Sequence, residues 1–155
     1  MNKLKCALVL LFAWPIMLHA EQTKQFGEVS ADMLLRQDAV FRQHYDSFSP
    51  GSDQLQLMRQ LTGKRLVVLF GRWCHDSQRE VPKLLKLLTQ SNVALERLTL
   101  IAVDRQKTTP DQLEQPFDLK YTPTIILFDQ QAELGRIIET PQQGIAEDLA
   151  AMLSP

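Results

Sequence analysis

Short apolar runs alternate with amphipathic segments along the chain, and this order predicts a mixed α/β fold. Residues 66–70 and 98–103 are apolar runs without polar alternation, which is typical of strands covered on both faces. A third run, 125–128, is followed by a turn at 129–133 and by residues 134–139, which should return as an antiparallel strand. The first two strands are expected to be parallel, because a helical segment connects them as a βαβ crossover.

Helical periodicity precedes the first apolar run. A loose polar lead-in is expected at residues 21–29, followed by one helix from an N-cap at Ser30 through residue 46. Ser52 is expected to cap a second helix, which Gly63 would end as the residue after the C-cap. The inward positions of that second helix are Leu55, Met58 and Leu61.

Three further helices are predicted after the first apolar run. The longest begins near Cys74, and Pro82 inside it should kink it, because proline lacks the N–H that a helix interior requires. Residues 109–112 (Thr-Pro-Asp-Gln) have the form of an N-cap, a proline at N1 and a glutamine at N3, so they predict a short helix that Pro116 ends. Residues 140–143 repeat this form and predict a last helix. The buried positions of the long helix are Val81, Leu84, Leu85 and Leu88, and those of the last helix, which ends near Leu153, are Ile145, Leu149 and Met152.

The first twenty residues have the pattern of a secretory signal peptide. Lys3 and Lys5 supply the positive region, residues 6–18 are apolar, and Ala20 is a small residue at the expected cleavage site. We therefore predict a signal peptide at 1–20, an N-terminal helical extension at 21–51 and one domain at 52–155. The alternative is a retained N-terminal anchor, although the apolar stretch is short for a bilayer span.

Charge and cysteine content limit which classes of function the sequence supports. The formal net charge is −1, so composition gives no argument for nucleic acid. The chain has two cysteines, Cys6 and Cys74. An exported chain that has lost residues 1–20 keeps Cys74 alone and cannot form an internal disulfide.

Cys74 is the candidate reactive residue. It lies where the long helix is predicted to begin, facing unpaired backbone N–H groups and the positive end of the helix dipole. Both favour thiolate over thiol, which makes Cys74 a candidate nucleophile. The alternative is that Cys74 is a weakly reactive thiol in a fold that no longer has catalytic activity.

These residues together resemble the thioredoxin family over about residues 52–155. The resemblance rests on the strand at 66–70, the run Trp73-Cys74-His75-Asp76-Ser77, Pro82 eight residues after Cys74, and Thr122-Pro123 before the third strand. It implies a thioredoxin-like three-layer α/β/α sandwich. The sheet would be mixed, with four strands or with one further strand, and would follow the N-terminal helical extension.

The same resemblance implies roles for individual residues. Pro123 would be cis and face Cys74, which would aim the Thr122 backbone at the thiol, where an extended substrate could pair with it. Trp73 would form an apolar platform for a substrate, or serve as a half-buried packing residue. Without the resemblance, Pro123 is an ordinary trans proline at a strand entry.

Two departures from the family pattern limit the mechanism. Ser77 stands where the usual Cys-x-x-Cys motif has its second cysteine, so a mixed disulfide at Cys74 has no internal resolving thiol. Val68 stands where the family commonly carries a buried acid that helps to activate the second cysteine. Ser77 could donate a hydrogen bond to the Cys74 thiolate or could cap backbone groups in the first turn.

Neighbouring charges would modulate the thiol in opposite directions. Protonated His75 would stabilise a thiolate, whereas Asp76 would oppose it by like-charge repulsion. Arg72 adds positive charge nearby, and Arg79 is interpreted as part of a solvated rim. Another pair, Asp104 and Arg105, follows a strand at the edge where such folds place ligands, although a solvated loop is the favoured interpretation.

The sequence thus predicts an exported thiol–disulfide protein with a single reactive cysteine. Its expected partners are a thiol- or disulfide-containing protein or glutathione, with a Cys74-linked dimer as a further expectation. We predict a periplasmic or secreted location, no membrane span after signal removal, no nucleic-acid partner, no cofactor and, without metal-ligand spacing, no metal site. The alternative is a redox-inactive module that holds an extended segment at Trp73, Thr122 and Pro123.

Overall fold

The computed structural model describes residues 25–154. The predicted signal peptide at 1–20 lies outside the described residues. In residues 25–154, no helix is long and apolar enough to cross a membrane. The elements in chain order are β1 (Gly27–Val29), α1 (Ala31–Gln37), α2 (Ala39–Ser47), α3 (Ser52–Arg59), β2 (Arg65–Phe70), α4 (His75–Ser91), β3 (Arg97–Ala102), a 3₁₀ helix (Gln115–Phe117), β4 (Thr124–Asp129), β5 (Ala132–Ile138) and α5 (Ile145–Ala151).

The strands form one mixed sheet of five strands in the order β1-β3-β2-β4-β5. β2 and β3 are parallel, as the predicted crossover through α4 requires, and the other neighbouring pairs are antiparallel. The three apolar runs of the sequence form the three central strands. The predicted mixed sheet is confirmed, and its fifth strand is β1.

The two faces of the sheet are covered differently. Leu66, Val68 and Phe70 of β2 belong to a large core that contains residues from all five helices, while Val67 and Leu69 point to the opposite face. That second face is covered by residues 113–119, through Leu113, Phe117 and Leu119. Burial on both faces explains why these strands read as unbroken apolar runs.

The helix predicted from Pro110 to Pro116 is not formed. The Glu114 carboxylate accepts hydrogen bonds from the Thr109 N–H and hydroxyl, and the Thr109 hydroxyl oxygen accepts one from the Leu113 N–H. These bonds close a turn in place of a helix. Pro116 lies inside the following 3₁₀ helix, because a first-turn residue needs no N–H donor.

The N-terminal segment joins the same core. The predicted lead-in at 21–29 is wrong for residues 27–29, which form β1 and pair with β3. The predicted N-cap at Ser30 is confirmed, since its hydroxyl accepts a hydrogen bond from the Met33 N–H. The single helix expected through residue 46 is two helices, because Asp38 accepts hydrogen bonds from the Val40 and Phe41 N–H groups and starts a new helix.

Two other helix starts also differ from the predictions. Gly51 is the N-cap of α3, and Ser52 is its first helical residue. The last helix begins after Gly144 and not near Thr140, because the Asp148 carboxylate accepts hydrogen bonds from the backbone of residues 142 and 143 and holds them in a turn. α4 runs without interruption through Pro82.

Candidate functional site

A strand, a tight turn and a helix start place Cys74. β2 ends at Phe70, residues 71–73 turn the chain, and Cys74 is the N-cap of α4 with an extended backbone. The Cys74 N–H donates a hydrogen bond to the Gly71 carbonyl at 3.0 Å. The cysteine side chain makes no capping hydrogen bond, so it leaves the first-turn N–H groups of α4 open.

The thiol contacts a segment that lies 48 positions further along the chain. Cys74 Sγ donates a hydrogen bond to the Thr122 carbonyl at 3.0 Å, and Cys74 is partly buried. The Thr122–Pro123 peptide bond is cis. The Pro123 carbonyl accepts a hydrogen bond from the Glu139 N–H at 2.8 Å, which ties this loop to the end of β5.

Trp73 packs across the turn that precedes the cysteine. Its indole Nε1 donates a hydrogen bond to the Val103 carbonyl at 3.3 Å, and the Arg105 guanidinium lies over its ring at 5.3 Å. A Cβ at position 71 would come within 2.6 Å of the indole, so the ring requires glycine there. Trp73 is thus half-buried by packing and also lines a cleft that extends toward residues 104–106.

Ser77 is fully buried one turn into α4. Its hydroxyl oxygen accepts a hydrogen bond from the Gly71 N–H at 3.2 Å. This bond connects the first turn of α4 to the end of β2. Ser77 therefore helps to hold the turn that carries Trp73 and Cys74.

The predicted modulating charges have their own partners. Asp76 pairs with Arg79 at 2.7 Å, which offsets part of its negative charge next to the thiol, and His75 is exposed. The Arg72 side chain extends toward Asp38 at the junction of α1 and α2, with 3.9 Å between Nη1 and Oδ2. Burial lowers the pKa of Arg72, and the Asp38 carboxylate opposes that shift.

The comparisons with known proteins agree with this architecture. A sequence model for the family described as Thioredoxin matches residues 23–151, which is most of the chain. The chain belongs to the thioredoxin family. No curated protein matches the sequence.

Solved structures support the same fold. A protein of unknown function from Pseudomonas aeruginosa has a TM-score of 0.58 and 21% sequence identity, over 88% of this chain and 98% of that chain. An HIV epitope scaffold has a TM-score of 0.54 and 24% identity, over 74% of this chain and 81% of that chain.

Within this thioredoxin-family fold, both residues that depart from the family pattern, Val68 and Ser77, are fully buried. Val68 is fully buried on the helix-covered face of the central strand. In residues 25–154, Cys74 is the free cysteine. Ser77, which stands in place of the second thiol of a Cys-x-x-Cys motif, carries a hydroxyl that is bonded to the backbone. Position 77 therefore offers no second thiol to a mixed disulfide at Cys74.

Sequence reasoning missed three residues near the site. Tyr121 precedes Thr122 and is 53% exposed, and an aromatic residue directly before Thr-Pro was an available signal. Glu80 is almost fully buried between Arg79 and Lys83, and its spacing of three from Lys83 could have indicated the pair. Asp38, which faces Arg72, carried no signal because the two residues belong to different elements.

Proposed function

We propose that this thioredoxin-family protein carries out thiol–disulfide exchange through Cys74 alone. The Cys74 thiolate attacks a disulfide R–S–S–R, forms the mixed disulfide Cys74–S–S–R and expels R–S⁻. A thiolate from a second molecule then attacks the mixed disulfide, regenerates Cys74 and carries away the R group as a new disulfide. One disulfide is consumed and one is formed, so the cycle needs no further oxidant or reductant.

The observation that carries this proposal is the placement of Cys74. The thiol lies at the start of α4, with its sulfur 3.0 Å from the Thr122 carbonyl. The open first-turn N–H groups favour negative charge at this position. Membership in the thioredoxin family supports a thiol–disulfide role. With Ser77 in place of the second cysteine, we limit that role to exchange through Cys74.

The direct test is incubation of the native protein with oxidised glutathione, followed by intact-mass analysis. We expect one glutathione adduct, which dithiothreitol removes and which the Cys74→Ser variant does not form. An adduct that appears only in urea would contradict the proposal, because it would show an inaccessible or unreactive thiol in the folded protein.

A second variant tests the missing resolving thiol. Ser77→Cys restores two thiols three residues apart across one helical turn. We expect its glutathione adduct to decay without added thiol and to leave an internal disulfide, whereas the wild-type adduct persists. An adduct that persists equally in both proteins would show that the second position cannot reach Cys74.

A binding module is the second candidate function. Tyr121 is 53% exposed and adjoins Thr122, so an extended partner segment could lie along this loop without covalent chemistry. The discriminating variant is Cys74→Ala. If it still co-purifies with the partner that the wild-type protein captures, binding is non-covalent, and complete loss of that partner favours exchange.

Export is part of the proposal and is supported by the pattern of residues 1–20. The expected result is a periplasmic or secreted protein whose first residue, by N-terminal mass analysis, is Glu21. A chain recovered with residues 1–20 intact and in the cytoplasm would contradict this. Non-reducing electrophoresis of the exported protein would show whether Cys74 also links two copies.

A further inference from the structure

Two arginines line one cleft beside the turn that carries Cys74. The cleft has a volume of about 500 Å³ and is bordered by Arg72, Trp73, Asp104 and Arg105. This size falls in the range of small-molecule sites. Trp73 directly precedes Cys74, so the cleft adjoins the turn that carries the thiol.

Arg72 is a largely buried cation with incomplete pairing. Its side chain is 17% exposed, and its Nε and Nη2 atoms are buried without a hydrogen-bond partner. Its carboxylate neighbour, Asp38, is 3.9 Å away at the closest pair of atoms. Burying a guanidinium with unsatisfied donors is unfavourable, and negative charge in the adjoining cleft would offset that cost.

Arg105 presents its guanidinium at the open side of the same cleft. Its guanidinium stacks on the Trp73 ring at 5.3 Å, and the Arg105 residue is exposed. Stacking on an indole orients the planar fork and leaves its N–H groups available. An arginine fork of this kind matches the two oxygens of a carboxylate.

The two acids near the cleft are already engaged. The Asp104 carboxylate accepts hydrogen bonds from the Thr108 N–H at 2.9 Å and hydroxyl at 3.0 Å. Asp38 Oδ1 accepts hydrogen bonds from the first turn of α2. Both acids reduce the net positive charge of the region. The Asp104 carboxylate and Asp38 Oδ1 are turned to their own loop or helix, whereas Asp38 Oδ2 lies 3.9 Å from Arg72 Nη1. The Nε and Nη2 atoms of Arg72 keep no hydrogen-bond partner.

From this arrangement we propose that the cleft is a carboxylate subsite, which selects small thiols and disulfides that carry a carboxylate. Arg105 would bind the carboxylate directly, Arg72 would supply positive charge behind it, and Trp73 would contact the apolar part of the ligand. The covalent step at Cys74 rests on the proposed function, whereas the binding step does not require it.

The binding step can be measured without the covalent step in the Cys74→Ser variant. The probe is S-methylglutathione, which has two carboxylates and no thiol, and the matched probe is its dimethyl ester. Nuclear magnetic resonance of the Trp73 indole N–H reports binding in the cleft. We expect the acid to bind about tenfold more tightly than the ester, and the difference to shrink at high salt.

Arginine variants test which residues cause the tighter binding of the acid over the ester. Arg105→Gln and Arg72→Gln, each in the Cys74→Ser background, should remove most of the preference for the acid and leave ester binding nearly unchanged. Arg97→Gln is the matched control: Arg97 is 60% exposed, pairs with Glu28 and lies at the opposite end of β3. Because Arg105 is exposed, its variant decides the question even if Arg72→Gln does not fold.

The outcomes separate the two proposals. Equal affinity for acid and ester, an Arg105→Gln variant that keeps the preference, or no change at the Trp73 indole overturns the subsite. The Cys74→Ser variant could show a clear preference for the acid while the wild-type protein forms no adduct with oxidised glutathione. That result would support the subsite and overturn the exchange function.

Discussion

At the scale of single residues, Gly71 determines how closely Trp73 can approach the turn. The glycine is buried at the end of β2, its N–H donates to Ser77, and its carbonyl accepts from Cys74. A side chain there would overlap the indole ring, which cannot move without breaking its hydrogen bond to Val103. Gly71 therefore allows the Trp73 ring to pack against the turn beside Cys74.

The substitution Gly71→Ala should destabilise the protein by about 1–3 kcal/mol, as overpacking does. Gly51→Ala is the control, because a Cβ at position 51 meets no atom within 4 Å, and we expect a cost below about 1 kcal/mol from its N-cap position. Urea unfolding gives the free energies, and Trp73 emission reports displacement of the ring. Equal costs would show that the indole gives way freely.

Asp104 gives a prediction about pH. The backbone hydrogen bond from Thr108 holds the pKa of this carboxyl below its ordinary value of 3.8, and the hydroxyl of Thr108 contributes further. A carboxyl with a lower pKa in the folded protein stabilises the fold above its unfolded pKa, and this contribution is lost as the pH falls through the folded pKa. The stabilisation by Asp104 is therefore present at neutral pH and disappears below pH 3.8.

The matching measurement is urea unfolding of the wild-type protein and of Asp104→Asn at neutral pH and at about pH 2.5. The wild-type protein should be the more stable at neutral pH, and the difference should shrink in acid. Asp53→Asn, on the first turn of α3, controls for the general effect of removing one acid. A difference that grows in acid would contradict the assignment.

At the scale of elements, Asp38 links the N-terminal helices to the site. It is the C-cap of α1 and the N-cap of α2, and its carboxylate also faces Arg72 in the turn before Cys74. Asp38 therefore separates α1 from α2, where the sequence predicts one continuous helix, and it sets the direction in which α2 packs against α4. The direction of α2 and the environment of Arg72 depend on the same side chain.

Two substitutions of Asp38 separate these roles. Asp38→Ala removes the cap and the charge and should cost about 1 kcal/mol or more, whereas Asp38→Asn keeps the cap and should cost less. Free energies of unfolding by urea denaturation compare them. If Asp38→Asn is as costly as Asp38→Ala, the charge opposite Arg72, and not the cap, is the dominant contribution.

At the scale of the whole molecule, β1, α1, α2 and α3 contribute residues to the same core as the elements that follow them. β1 pairs with β3 along one edge of the sheet. Phe41 of α2 is fully buried, and its ring lies 5.6 Å from the ring of Phe70, which is close to the site turn. The helical extension at 21–51 was predicted as a separate region from 52–155, and these contacts lead us to expect that the two unfold together.

The substitution Phe41→Ala tests that expectation. Loss of a fully buried phenylalanine should lower the free energy of unfolding of the whole chain by about 3–5 kcal/mol in one cooperative transition. The neighbouring Val40→Ala is the control, since Val40 is 41% exposed, and it should change stability by less than about 0.5 kcal/mol. A separate early transition for the N-terminal helices would show that they fold independently.

Patterns of neighbouring residues were sufficient to predict the three central strands and the position of Cys74 at the start of α4. The unbroken apolar runs identified β2, β3 and β4, because burial on both faces leaves no polar alternation. A cysteine after a strand and a turn identified the start of α4. Helix boundaries were less predictable at Asp38, Thr109 and Thr140, where side-chain hydrogen bonds to nearby backbone compete with the helix.

The sequence by itself thus determined the fold class, the strand–turn–helix at Cys74 and the absence of a second thiol at Ser77. Only the tertiary structure decided that the thiol contacts Thr122, that β1 adds a fifth strand at one edge of the sheet, and that Arg72 and Arg105 share one cleft. The reason is separation along the chain: sequence patterns report forces between near neighbours, whereas each of these contacts joins residues that only the packed sheet brings together.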